Sequence, residues 1–300
     1  MRMSPNTLNT AGTLTGKAGI AAAVPAVMPK INPQPAPAAA VRSWLQLNTP
    51  ITDWQGRRVW LVGASTGIGL ACAQALRAAG AQVAVSARNA QGVQDWAAQD
   101  AGVQWHALDV GEPLQVQAAA RAILAQGPLD LLVYAAGYYQ AQRATAMDIE
   151  DLLQHDKVNY QGALQVIHAV LPSMLARQSG HISLLSSVAG WRGLPNGLAY
   201  GPTKAALTHL AETLYLDLQD QGIGVSVVNP GFVATPLTAQ NQFTMPALIS
   251  SDQAASEMLK GWAKGQFDIH FPKRFTLWLK LLRLLPYRLY FPLVRKFTGL

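Results

Sequence analysis

The sequence predicts an α/β fold: one doubly wound parallel sheet of six to seven strands, with a low-complexity arm before it and a basic amphipathic helical extension after it. Three observations predict this. From Arg57 onward, short apolar and β-branched runs alternate with stretches of helical periodicity. Those runs are apolar at consecutive positions, as in strands that helices cover on both faces. The first of them leads through a glycine-rich turn, VGASTGIG, directly into a helical stretch.

Taken in order, RRVWLVG is the first strand, and GIGLACAQALRAAG is a helix that stops at Gly80. AQVAVSAR is the second strand. A helical stretch, the third strand VQWHALDV, a helix from Pro113 to Gln126 and the fourth strand LDLLVYAAG follow. Helices are expected over roughly 146 to 178, a fifth strand at HISLLSS, a long helix from Leu198 to Gln221 and a sixth strand at IGVSVVNPG. FDIHFP, at 267 to 272, is a candidate seventh. The stretch from Gly231 to about Lys264 is expected to be a covering loop. Its apolar residues Phe243, Met245, Leu248, Ile249, Met258 and Trp262 suit a lipophilic ligand.

Three segments result: an Ala/Pro-rich arm over 1–50, a catalytic domain over 53–270 and an extension over 271–300. Repeated prolines in PAVMPKINPQPAPAAAV block helix and sheet, so the arm is expected to be flexible. The run AGIAAAVPAVM starts late, contains a proline and lacks flanking signals, so a cytoplasmic protein is expected. Charge divides along the same boundaries. All sixteen acidic residues fall between Asp53 and Asp268, where twelve Lys and Arg leave a net −4. The first 52 residues hold four basic residues and no acid, and residues 269–300 hold seven and no acid. A basic balance raises nucleic acid and anionic membrane as partners. No Lys/Arg-rich run, finger or aromatic RNA-binding motif supports nucleic acid, so none is expected. The single cysteine, Cys72, excludes an internal disulfide and a cysteine-based metal cluster; no metal is expected.

The chemistry-bearing residues lie at the ends of the predicted strands. Gly63, Gly67 and Gly69 let backbone approach a pyrophosphate, and the following helix N-terminus offers N–H groups and a positive dipole end. The second strand ends in Ala87 and Arg88, with no carboxylate for a ribose hydroxyl but a guanidinium suited to a 2′-phosphate, which favours NADP over NAD. Tyr200 and Lys204, four apart, share one face of a helix. An ammonium beside a phenol favours the phenolate and draws its pKa toward neutrality, which suits proton exchange with an alcohol or ketone. Ser187, at the end of the fifth strand, brings a hydroxyl to the mouth of the sheet.

These motifs together resemble the short-chain dehydrogenase/reductase family, with its Rossmann-like fold, over about Arg57 to Pro236. The resemblance implies a cofactor turn at Gly63, Ser65, Gly67, Ile68 and Gly69, and an Asp109 facing the adenine. It implies a catalytic tetrad of Asn159, Ser187, Tyr200 and Lys204, with Asn159 holding a water on the lysine. Pro230, Gly231 and Thr235 would close over the nicotinamide. The family's NNAG stands here as YAAG, residues 134 to 137, with Ala135 where an asparagine braces the central strands. The implied activity is NADP(H)-dependent interconversion of a lipophilic ketone or aldehyde with an alcohol, by a homodimer or homotetramer. A dinucleotide-binding protein without turnover and a nucleotide-sugar epimerase are the other classes. An intact tetrad argues against the first, and the wider glycine spacing against the second.

Beyond the family's usual end, Lys273, Thr276, Lys280 and Arg283 recur at three- and four-residue spacing, with Phe275, Leu277, Trp278, Leu281, Leu282, Leu284 and Leu285 between them. That is a basic amphipathic helix. From Arg274 to Leu285 it spans only about 18 Å and Pro286 interrupts it, so it is expected to lie in the interface at the cytoplasmic face of a membrane without spanning it.

Overall fold

The structure, a computed structural model, describes residues 46–241 and 243–299. The expected arm therefore lies outside the described residues up to residue 45. The first half of the domain runs β1 (Arg58–Val62), α1 (Gly67–Ala78), β2 (Gln82–Ala87), α2 (Gln91–Gln99), β3 (Val103–Ala107), α3 (Pro113–Leu124) and β4 (Leu131–Tyr134). The second runs α4 (Ile149–Asp156), α5 (Gly162–Arg177), β5 (Gly180–Leu185), α6 (Tyr200–Leu218), β6 (Ile223–Pro230), α7 (Ser251–Ala263) and β7 (Asp268–Phe271). Two further helices close the chain, α8 (Lys273–Arg283) and α9 (Tyr287–Thr298).

The seven strands form one parallel sheet in the order β3-β2-β1-β4-β5-β6-β7. Chain direction across the sheet reverses between β1 and β4, and at such a point the loops beyond the strand ends part to leave a crevice. Consecutive residues of each strand feed opposite cores, which is why the strands read as unbroken apolar runs. Trp60, Leu132, Ile182 and Val225 meet α3, α5 and α6 on one face. Leu61, Val83, Val133 and Val228 meet α1, α2 and α7 on the other. Cys72 is buried in this second core, where burial pushes its thiol pKa up.

The segment expected as a covering loop instead contains α7, started by a capping box in which Ser250 and Gln253 satisfy one another's backbone N–H groups. Met258 and Trp262 ride on that helix into the core, and Trp262 donates to Ser183 and Ser226 at 3.2 Å, so neither faces a ligand. Ordered contact also starts before residue 50. Asn48 is buried, and its amide accepts from Val225 N (3.0 Å) and donates to Val225 O (2.8 Å). It completes the edge of β6 at a residue that β7, pairing only from Val227, does not reach.

In α8 two polar residues, Thr276 and Lys280, face the body of the protein, while Lys273, Arg274 and Arg283 are exposed. Thr276 is fully buried, 2.7 Å from His270 Nδ1, and Lys280 reaches Asp268 at 2.5 Å. Leu277, Trp278, Leu281 and Leu284 are more than half exposed, with Leu284 at 79%. Among the described residues no helix is long and apolar enough to cross a membrane.

Candidate active site

The C-terminal ends of β1, β2, β4, β5 and β6 open onto one cleft of about 640 Å³. Gly63, Ser65, Gly67, Ile68, Gly69, Arg88, Asp109, Ser187, Tyr200, Lys204, Pro230, Gly231 and Thr235 all line it. Asn159 is the sequence-named residue that does not, and it sits just behind the wall.

At the turn, Gly63 has φ +84°, and a Cβ there would lie 2.2 Å from Ala136 N, so no side chain fits. The helix that follows has no side-chain cap at Thr66 and no acid in its first turn, so its leading N–H groups lack a side-chain acceptor. Together with the dipole they form an anion-binding end. Across the cleft Arg88 is exposed and, among the described residues, unpaired. Asp109 is held by its own turn, its Oδ1 accepting from Gly111 N at 2.8 Å.

The Ser187 and Tyr200 hydroxyls are set by how closely β5's exit packs on α6. A Cβ on Gly190 would lie 2.6 Å from the Lys204 carbonyl carbon, so backbone rests on backbone. Ser186 Oγ donates to Lys204 O at 2.7 Å and pins the same turn. Ser187 Oγ accepts from Ala189 N (3.1 Å), which leaves its proton to point at Tyr200. Tyr139 packs edge-on against the Tyr200 ring, centroids 5.0 Å apart.

One expectation is corrected here. The ammonium was expected to draw the Tyr200 pKa down, but the protein alone does the reverse. Burial pushes the phenol up to about 12, with the Ser187 hydrogen bond pulling the other way. Lys204 Nζ is bonded to Leu185 O (2.8 Å), 5.5 Å from the ring centroid, and burial pushes its own pKa down to about 7. A dry pocket disfavours the charged form of both groups.

Asn159 lies in a π-helical turn, residues 157–161, between α4 and α5. Its Oδ1 accepts from Tyr138 N (2.7 Å) and its Nδ2 donates to Tyr138 O (3.0 Å) and Thr203 Oγ1 (2.9 Å). A Cβ on Gly137 would be 3.7 Å from Lys204 Nζ and 3.9 Å from Asn159 Oδ1, so both groups face that glycine. In YAAG the strand ladder continues through Ala135 N to Val62 O (2.8 Å) without the asparagine. Tyr134 instead donates to Val158 O and ties β4 to the turn that carries Asn159.

Sequence reasoning missed Arg192. It lies between Ser187 and Tyr200, donates to the carbonyls of Leu282 (3.1 Å), Arg283 (3.0 Å) and Leu285 (2.7 Å), and sits 3.9 Å over the Tyr290 ring. No local pattern announced it, because all its partners lie about ninety residues later.

A family profile described as short chain dehydrogenase matches residues 57–245. The chain is 35% identical over 236 residues to an uncharacterized oxidoreductase of Myxococcus xanthus (strain DK1622), covering 77% of this chain and 93% of that one. It is 33% identical over 207 residues to a 2-keto-3-deoxy-L-fuconate dehydrogenase of Xanthomonas campestris pv. campestris, covering 69% and 67%. A solved structure described as a short chain dehydrogenase/reductase family protein superposes with TM-score 0.65 at 28% identity, over 73% of this chain and 96% of that one.

Proposed function

The chain belongs to the short-chain dehydrogenase/reductase family of oxidoreductases, and from that premise we propose that it is NADP(H)-dependent and interconverts a lipophilic ketone or aldehyde with the corresponding alcohol. The observation that carries this reading is the convergence of Ser187, Tyr200 and Lys204 on the same cleft as the uncapped N-terminus of α1. The residues present fit the dinucleotide. The first-turn N–H groups of α1 suit its pyrophosphate, the unpaired Arg88 a 2′-phosphate, and Asp109 the adenine. Lys204 Nζ carries up to three protons and, among the described residues, donates to Leu185 O, which leaves donors for ribose hydroxyls. NADPH bound there supplies the hydride.

The protein's part is to handle the charge that appears on the carbonyl oxygen. Tyr200 gives that oxygen its proton while Ser187 donates a hydrogen bond to it, so both act most strongly where charge develops. Lys204, once charged, offsets the burial that holds the phenol near 12. Asn159, fixed by Tyr138 and Thr203, orients the path between Lys204 and solvent past Gly137. Pro230, Gly231 and Thr235 form the wall over the nicotinamide end. Leu237 and the exposed Phe243, stacked edge-on against Phe232 at 5.6 Å, support a lipophilic substrate. Exposed Leu164 on α5 and Leu216 on α6 support a homodimer or homotetramer.

Turnover of a ketone panel with NADPH, alongside fluorescence titration of NADPH, tests the assignment. Tyr200→Phe is expected to bind NADPH within about twofold of wild type and to lose at least about a hundredfold in turnover. Turnover retained within a few fold removes Tyr200 from the mechanism.

A further inference from the structure

We propose that the outer face of α8 and α9 is a docking surface for an anionic phospholipid bilayer, lying in the interface beside the mouth of the cleft. The polarity of these helices is the first argument. A helix that packs on a soluble domain turns its apolar stripe inward, yet α8 turns Thr276 and Lys280 inward and leaves Trp278 68% exposed. In α9, Tyr290 is buried and donates to Gly193 O (2.8 Å), while Leu289 and Phe291 are more than half exposed. The inward polar contacts satisfy the groups that an interfacial helix ordinarily turns to water, so the apolar face is left for another phase. At about 16 Å and 18 Å for 11 and 12 residues, both helices are too short to span and long enough to lie flat.

Charge chooses the occupant. Residues 269–300 hold seven Lys and Arg and no acid. Lys273, Arg274, Arg283, Arg288, Arg295 and Lys296 are exposed around the apolar residues. A second copy docked on the same face would oppose these cations with an identical set. The chain's own first 52 residues offer four cations and no acid. Neither complements the surface electrostatically, whereas an anionic headgroup layer does, with Trp and Tyr at headgroup depth and acyl chains against the leucines.

Position gives the surface a use, and this part rests on the oxidoreductase reading. Phe275 of α8 stacks on Phe232 (5.6 Å), and its ring would lie 2.8 Å from a Cβ on the cleft residue Gly231. A carbonyl or alcohol dissolved in the bilayer thus enters beside the nicotinamide end of the cleft.

The test is cosedimentation of the full chain with vesicles of phosphatidylcholine alone or with about 30% phosphatidylglycerol, at low and high salt. Wild type is expected to partition at least about tenfold more strongly to anionic vesicles and to be released by salt. A Trp278→Ser/Leu281→Ser/Phe291→Ser variant is expected to lose at least about tenfold, since three apolar side chains no longer enter the bilayer. NADPH affinity unchanged within about twofold reports that this variant is folded. Equal partition of variant and wild type overturns the proposal. So does a light-scattering mass that falls from dimer to monomer in the variant, which would assign the face to a second copy. Vesicle binding that appears only after residues 1–45 are deleted assigns it to the arm and overturns the proposal equally. Vesicle binding without turnover of any ketone supports docking and sinks the redox reading; turnover without vesicle binding does the reverse.

Discussion

The cleft and the C-terminal helix pair obey the same side-chain physics with opposite results. Around the cleft, apolar stripes point at the sheet, and the buried Lys204 amine is held by Leu185 O. In α8 Leu277, Trp278 and Leu281 point out, and Thr276 and Lys280 point in because the protein body offers them partners, His270, Asp268 and the Trp191 ring. Amphipathic spacing therefore fixes that a helix has two faces. Which face is turned inward depends on what the neighbouring surface can satisfy.

The burial of Lys204 is readable as a pH dependence of stability. Lys204 has a folded pKa of about 7 against about 10.4 unfolded. Between those values the unfolded chain binds more protons, so stability must rise with pH from about 7 to about 10 and stay at its lower level below 7. Thermal melts without cofactor are expected to show that rise in wild type and to lose it in Lys204→Met. The difference is on the order of a few kcal/mol over the range. Identical pH slopes would mean that the lysine is not buried as described.

A smaller effect separates the two faces of α8. Thr276→Val leaves His270 Nδ1 without its hydroxyl partner and is expected to cost about 1–3 kcal/mol in denaturant unfolding. Trp278→Gln on the outer face should cost under about 0.5 kcal/mol. If the order is reversed, the helix is turned the other way. Arg88→Ala, at an exposed position, should weaken NADPH relative to NADH by about tenfold and leave NADH binding in place. Equal loss for both dinucleotides would place no phosphate at Arg88.

Much of the cleft was legible because its motifs are local. A glycine turn, a strand-end serine and an i,i+4 pair each occupy fewer than ten residues, and the alternation of strands and helices orders them along one sheet edge. What escaped reading was long-range. Asn48 meets Val225 and Arg192 meets Leu285 only after the sheet has closed. The α7 helix was missed although its Ser250 and Gln253 carry an N-terminal signature, because the apolar residues after it were read as facing a ligand. The pKa of Tyr200 was misjudged for a related reason. Spacing reveals a neighbouring charge but not the loss of water around both groups.

Arg192 has a consequence for how the molecule comes apart. One guanidinium holds three carbonyls at the end of α8 and lies over the rings of Tyr287 and Tyr290, while its own backbone belongs to the segment that joins Ser187 to Tyr200. Lifting the helix pair breaks all of those contacts in a single event and strips that segment of its outer support. The helix pair and the segment from Ser187 to Tyr200 therefore share one local opening, and α8 and α9 act as a fastening on residues about ninety positions before them.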